Sequence, residues 1–486
     1  MQNSSNLKEK QYLMGSSRSI RKLLKQKWFV VVLALILTGL GAAVTGVLFK
    51  AGVIRLENWR LELLQKFPAW VVLPVLGGTG GFVSGTIISR LAPAASGSGV
   101  THIMAFLRHR QVPMGLRVGL VKLIAGIVAI GSGFPLGPEG PSVQMGGSVA
   151  WQMARWLKAP IAFRRVIVAA GGGAGIAAIF SAPIGGFIYA IEELLNSARP
   201  VVLLLVVVTT FWADTWADVL QYLGLNPSAG GFDETIGFQL ERQYTNSFSF
   251  LPVDLGYLIC LGIVIGILAE GYCSYVLVMQ KKGNIWLKDQ LVLKMIISGV
   301  VIGGMYSLLP NTFHTLGDLK NIIAKGEASI PIALGSFIVL FITTGLASAS
   351  GVPGGLFYPM LILGGSIGLA LGNSVEIWTG YIPDTFIFAG MGAFVSACSR
   401  TPITAMFLAF ALTKDLLILK PILVACITSF LVARLFNKDS IYERQLIIEG
   451  EKKNHAQSSL EYQEGIFNSN QGNIRKPFTP PRPPDK

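Results

Sequence analysis

The chain has 486 residues, 52% of them hydrophobic and only 14% charged, with a mean hydropathy of +0.57. This composition places it in a membrane, where a net charge of +14 belongs to cytoplasmic loops rich in Lys and Arg rather than to a nucleic-acid surface. No His-Glu-x-x-His or paired-Asp constellation occurs, and no Gly-rich nucleotide loop ending in Lys-Ser/Thr, which argues against an embedded enzyme and an ATP-driven pump.

Arg18, Arg21, Lys22, Lys25 and Lys27 directly precede the first apolar run, Trp28–Val53. Residues 1–27 are therefore expected to form a cytoplasmic segment, and the run is too long for the apolar core of a cleaved signal peptide. A bilayer core of about 30 Å takes roughly 20 apolar residues per straight helix. Ala69–Ala92, Leu251–Met279 and Leu416–Leu435 reach that length, whereas Val201–Phe211 is shorter and other stretches are interrupted by Gly or Pro. The expected fold class is all-α and polytopic, with some broken or re-entrant helices. The polar stretch Leu225–Phe248 carries Asp233, Glu234 and Glu241 against Arg242 and reads as external; the lysine-rich loop Lys281–Lys294 reads as cytoplasmic. From 437 to 486 the chain reads as a cytoplasmic tail, disordered after about 452, where it turns polar and Pro-rich. That tail is too short for an appended regulatory domain. Cys260, Cys273, Cys398 and Cys426 lie in or near apolar stretches without metal-ligand spacing, so packing is their expected role and no metal is called for.

An internal echo organises the rest. Pro141-Ser-Val-Gln-Met-Gly-Gly-Ser148 matches Pro359-Met-Leu-Ile-Leu-Gly-Gly-Ser366. Ala170-Gly-Gly-Gly-Ala174 before Pro183 matches Ala389-Gly-Met-Gly-Ala393 before Pro402 at the same spacing. The two matches, in the same order, divide a transmembrane domain at 28–436 into halves at 28–224 and 250–436. With the linker outside and both termini inside, each half crosses an odd number of times, so the repeats are inverted. Duplicated halves with discontinuous helices are a transporter signature, with the binding site where the halves meet.

Three Gly-rich segments are candidates for broken backbone at that place: Ser96–Gly99, Gly137–Pro141 and Gly351–Pro359. Helix starts there would offer unpaired N–H groups and the positive end of the helix dipole, both of which favour an anion. Ser98 adds a hydroxyl. Glu139 lies within the second segment, and an ionised carboxylate is itself an anion able to occupy such a site. Glu192 and Glu193 close the apolar run Phe180–Ile191 and are candidates for a proton route. Glu270 adjoins another apolar stretch, and the sequence assigns it no role.

With these segments in place, the chain from about Trp28 to Arg444 resembles the CLC family of chloride channels and proton-coupled chloride transporters, in its prokaryotic form without CBS domains. The family motifs G-S-G-I-P, G-[K/R]-E-G-P and G-x-F-x-P appear as Gly97-Ser-Gly-Val-Thr101, Gly137-Pro-Glu-Gly-Pro141 and Gly355-Leu-Phe-Tyr-Pro359, followed by the late Tyr442. The resemblance implies that Ser98, Tyr442 and the N–H groups of Leu356 and Phe357 hold the central chloride. It implies that Glu139 is the external gating glutamate and Glu193 the internal proton-transfer glutamate, and that Lys122 acts on the pathway through its field. Pro138 and Thr101 depart from the family pattern, at positions usually Lys or Arg and Pro respectively. The implied protein is a non-enzymatic chloride/proton antiporter without a cofactor, chloride being its bound substrate. A passive voltage- or pH-gated chloride channel of the same fold is the alternative, and an acid at Glu193 favours exchange. The implied setting is a lipid bilayer, the bacterial inner membrane. There the chain would be a homodimer with one pore per subunit, both termini cytoplasmic, and no nucleic-acid partner.

Overall fold

The computed structural model describes residues 3–196, 199–225, 252–287, 290–380, 385–413 and 415–450. The acidic linker over 226–251 and the tail after 450 lie outside the described residues, as do Lys288 and Asp289 of the lysine-rich loop. Helices follow one another as α1 (Asn3–Lys66), α2 (Ala69–Leu91), α3 (Val100–Leu107), α4 (Leu116–Gly131), α5 (Glu139–Trp156), α6 (Ile161–Phe180), α7 (Pro183–Tyr189) and α8 (Pro200–Leu220). The second half comprises α9 (Pro252–Trp286), α10 (Leu291–Ser307), α11 (Leu316–Ala324), α12 (Ile330–Ser350), α13 (Phe357–Thr379), α14 (Phe386–Ser399), α15 (Pro402–Thr413) and α16 (Leu419–Phe436). A last helix, α17, covers residues 441–450. Eight helices among the described residues are long and apolar enough to cross a membrane, and α10, α14 and α15 are shorter apolar helices.

Two details add to the expected boundaries. Residue 28 marks a change of composition inside the continuous helix α1, not a break. Ile441, Tyr442, Gln445 and Leu446 are buried, so the chain from 441 to 450 packs into the body before the tail begins.

The duplication is visible in the backbone. Gly133 and Gly351, at equivalent positions of the two halves, both turn with positive φ, +115° and +77°. Ser181 and Arg400, equivalent residues closing α6 and α14, are both left-handed despite carrying side chains. The pairing of α5 with α6 repeats as that of α13 with α14. In both, glycine backbones touch: a Cβ on Gly146 would collide with the Gly171 carbonyl, and one on Gly364 with the Gly390 carbonyl. Small residues permit such close approach where lipid supplies no hydrophobic drive between helices.

The halves meet at an antiparallel bridge between Gly137 and Gly355. Each donates its N–H to the other's carbonyl at 2.8 Å. The two glycines are equivalent residues, so their reciprocal, antiparallel pairing is what a local two-fold axis through the bridge produces. The fold is therefore all-helical, with two inverted halves of broken helices, as the sequence implies.

Gly364→Ala should destabilise the folded protein by about 1–3 kcal/mol, the usual range for overpacking. Gly304→Ala is the control, because a Cβ there meets nothing within 4 Å. Thermal unfolding in detergent checks this; equal midpoints for the two variants would contradict it.

Candidate functional site

The loops between helices converge on the bridge. Gly97 N–H and Ser96 Oγ both donate to the Gly351 carbonyl at 2.8 Å, joining the loop before α3 to the loop before α13. Gly97 and Gly99 take φ of +74° and +93°, a left-handed turn that glycine adopts without strain. Lys122, fully buried in α4, donates its ammonium to the carbonyls of Ala95 and Gly97. The resemblance gives Lys122 a long-range field; the structure also gives it a mechanical task, bracing the loop that presents Ser98. Ser98 Oγ is buried without a hydrogen-bond partner among the described residues and lies against Gly140.

Glu139 is the first residue of α5 and is 2% exposed. Its Oε1 accepts the N–H of Phe357 at 2.5 Å and that of Tyr358 at 3.4 Å, while Oε2 is buried without a partner. The carboxylate of one half thus sits on the helix start of the other, where unpaired N–H groups and the dipole favour negative charge. Phe357 N–H, a predicted chloride ligand, is taken by that carboxylate. Leu356 is the residue immediately before α13. Side chains at Gly137 or Gly355 would collide with the carboxylate, so glycine on both strands of the bridge leaves the space it fills.

Pro138 caps the start of α5 and faces a cavity of about 60 Å³, lined also by Tyr358, Lys50, Glu57 and Arg60. The basic side chain missing at 138 has counterparts across this cavity, on α1. Arg60 is not loose: it bonds Glu57 at 3.2 Å and the carbonyl of His314 at 3.1 Å. Thr101, the other departure, donates to Glu449 Oε1 at 3.1 Å, which fastens α3 to α17.

The consecutive acids part company. Glu192 accepts from the backbone of Ile403 and Thr404 and from Thr404 Oγ1, the last two at 2.7 Å. It covers the N–H groups at the start of α15, a structural task. Glu193 lies in the π-helical turn Ala190–Leu195, is 6% exposed and, among the described residues, accepts Ser440 Oγ alone, at 3.4 Å. Single π-turns are frequent at functional sites. Tyr442, 1% exposed, is within electrostatic reach of both Glu139 and Glu193. Buried Tyr189, whose hydroxyl has no partner among the described residues, faces the same group.

Sequence reasoning passed over three features. Glu270 accepts Arg400 at 2.8 Å and Arg444 at 2.6 Å, joining α9 to the end of α14 and to α17. Ser440 and Tyr189 are the other two. An S-x-x-E pattern at Ser440–Glu443 was the available signal for the first; nothing local marks the second. Gly364-Gly365-Ser366-Ile367-Gly368 fits the Gly-x-Ser-x-Gly nucleophile pattern. However, Ser366 lies within α13 and donates to the Ile362 carbonyl at 2.8 Å, without the strand-to-helix turn that exposes a nucleophile.

Glu270→Gln should leave two poorly exposed guanidiniums without a counter-charge and destabilise the fold by about 3 kcal/mol, the scale of breaking a buried pair. Thermal unfolding measures it, and an unchanged midpoint would remove Glu270 from the support of α17.

Comparison with known proteins agrees with this geometry. The family model described as voltage gated chloride channel matches residues 80–434. The H(+)/Cl(-) exchange transporter ClcA of Vibrio parahaemolyticus serotype O3:K6 is 29% identical over 433 residues, covering 86% of this chain and 89% of the relative. The transporter of the same name from Yersinia pestis bv. Antiqua (strain Angola) is 28% identical over 477 residues, covering 92% and 94%. A crystal structure of a slow cyanobacterial Cl-/H+ antiporter superposes with a TM-score of 0.76 at 26% identity, covering 87% of this chain and 99% of that one. With more than half its length matched by the family model, and with this fold, the chain belongs to the CLC family of chloride channels and transporters.

Proposed function

We propose that this chain is a secondary active antiporter that exchanges chloride for protons across a bacterial inner membrane. The observation that carries the reading is the Glu139 carboxylate seated on the N–H groups of Phe357 and Tyr358. An ionised carboxylate and a chloride ion carry the same charge and seek the same donors, so they exclude one another. Protonation removes the charge and with it about half the strength of a charge-assisted hydrogen bond. Glu139 then leaves, and chloride takes the helix start. For the carboxylate to return, the anion must move on and the proton must be lost.

Chloride is held by the hydroxyls of Ser98 and Tyr442 and the N–H groups of Leu356 and Phe357. Lys122 is committed to carbonyls, so partial charges rather than a cation hold the ion, and weak holding suits passage. Glu193 supplies the proton from the other side of Tyr442. The two relatives named as exchange transporters support exchange over a passive channel, which has no use for that buried acid. The proposed assembly is a homodimer with one pathway in each subunit and both termini cytoplasmic. Chloride and protons are the only ligands the mechanism needs, and none of its steps makes or breaks a bond other than to hydrogen.

Reconstitution into liposomes, with chloride and proton fluxes recorded together, tests this. Glu139→Gln should retain anion flux and lose chloride-driven proton movement; normal proton pumping by that variant would sink the assignment.

Glu193→Gln should reduce proton transport at least about tenfold, the scale of losing a positioned proton carrier, while passive anion flow persists. Unchanged coupling would make Glu193 a structural acid and return the channel reading to the front.

A further inference from the structure

Ser440 ends the turn after α16 and begins α17, and its hydroxyl has two partners. Its Oγ accepts the N–H of Glu443 at 3.2 Å and donates to Glu193 Oε1 at 3.4 Å. In return, Glu443 Oε2 accepts the N–H of Ser440 at 3.2 Å. Ser440-Ile-Tyr-Glu443 is therefore a capping box, with Ser at the N-cap and Glu three residues on. Its two inner residues are Ile441 and Tyr442, both buried. The remaining oxygen of Glu443 is paired with Arg108, at the end of α3. One hydroxyl thus joins the internal glutamate to the first turn of the helix that carries Tyr442.

We infer that Ser440 is a positioning residue that transmits the state of Glu193 to Tyr442, so that proton delivery and the inner side of the chloride site move together. The inference rests on the exchange reading above. A serine hydroxyl has one hydrogen to donate and two lone pairs to accept with. With Glu193 ionised, that hydrogen goes to the carboxylate and one lone pair to Glu443 N–H, so both partners are satisfied. With Glu193 protonated, the acid can donate to the second lone pair while the serine hydrogen loses its carboxylate acceptor, so the hydroxyl turns about its Cβ–Oγ bond. That turn resets the geometry of the bond from Glu443 N–H, and the residue two places along is the tyrosine that holds chloride. Ser440 itself neither gains nor loses a proton. The other charged groups facing Glu193 are Glu443, Glu192 and Arg108; Glu192 is occupied at α15 and Arg108 at Glu443, so Ser440 is the contact free to respond.

Separating the cap from the coupling makes the test selective. Glycine is a tolerated N-cap, costing a helix only slightly relative to serine, but offers Glu193 no hydroxyl. Threonine offers both. Full-length Ser440→Gly, Ser440→Thr and Glu193→Gln proteins are reconstituted beside the native chain, and protons moved per chloride are measured. Ser440→Gly is expected to lower that ratio about tenfold, the factor set by losing a hydrogen bond to a charged group, and Ser440→Thr to restore it. Thermal midpoints of the two serine variants should stay close, which a purely structural role would also give. Native coupling in Ser440→Gly beside uncoupled Glu193→Gln would overturn this inference and leave exchange standing. A native chain that moves no protons would overturn both.

Discussion

Backbone that leaves a helix inside a bilayer finds no water to bond with, and the centre of this molecule is arranged around that constraint. The loops before α3, α5 and α13 satisfy one another: Gly137 with Gly355, Gly97 and Ser96 with Gly351, and Lys122 with the carbonyls of Ala95 and Gly97. The first N–H groups of α13 are not consumed in this way. They face the space that glycine leaves at 137 and 355, and Glu139 enters it from the opposite half. The Glu139 carboxylate is thus one more partner for broken backbone. It differs from the others in that protonation can release it.

That arrangement explains why the duplication had to be kept in the backbone while the side chains diverged. The equivalent positions Gly133 and Gly351, and Ser181 and Arg400, keep their left-handed turns. The helix starts at Pro138 and Leu356 keep nearly the same dihedral angles. One start contributes the carboxylate and the other the N–H groups that receive it. A symmetric sequence would put a carboxylate on both and crowd two like charges into the space beside the bridge.

Much of this was legible in the sequence because it is local. Helix starts announce themselves through Gly and Pro, the repeat through spacing, and Glu139 through its place on backbone that cannot continue a helix. What escaped depends on residues far apart in the chain. Glu270 acquires meaning only beside Arg400 and Arg444. Thr101 reads as a lost proline until Glu449 is beside it. The division at residue 28 was drawn from composition, but a helix can pass from polar to apolar without breaking. Packing of residues 441–450 was not legible in the same way, because α17 carries polar residues on a partly buried path.

Glu192 and Glu193 show how far adjacent residues can differ. Successive residues of a helical turn point in different directions, so one acid can reach the start of α15 while its neighbour turns toward α17. The first is surrounded by donors at the start of α15. Among the described residues the second meets a single long contact, from Ser440, and a carboxylate so sparsely held has little to break when it takes up or releases a proton. The same reasoning applies to Glu139, which keeps one oxygen without a partner. Incomplete satisfaction, a liability in an ordinary core, here includes Glu139 Oε2 and the hydroxyls of Ser98 and Tyr189 around the site. The surrounding frame of backbone bridges, capped helix starts and ion pairs is what lets those few groups remain unsatisfied while the fold holds.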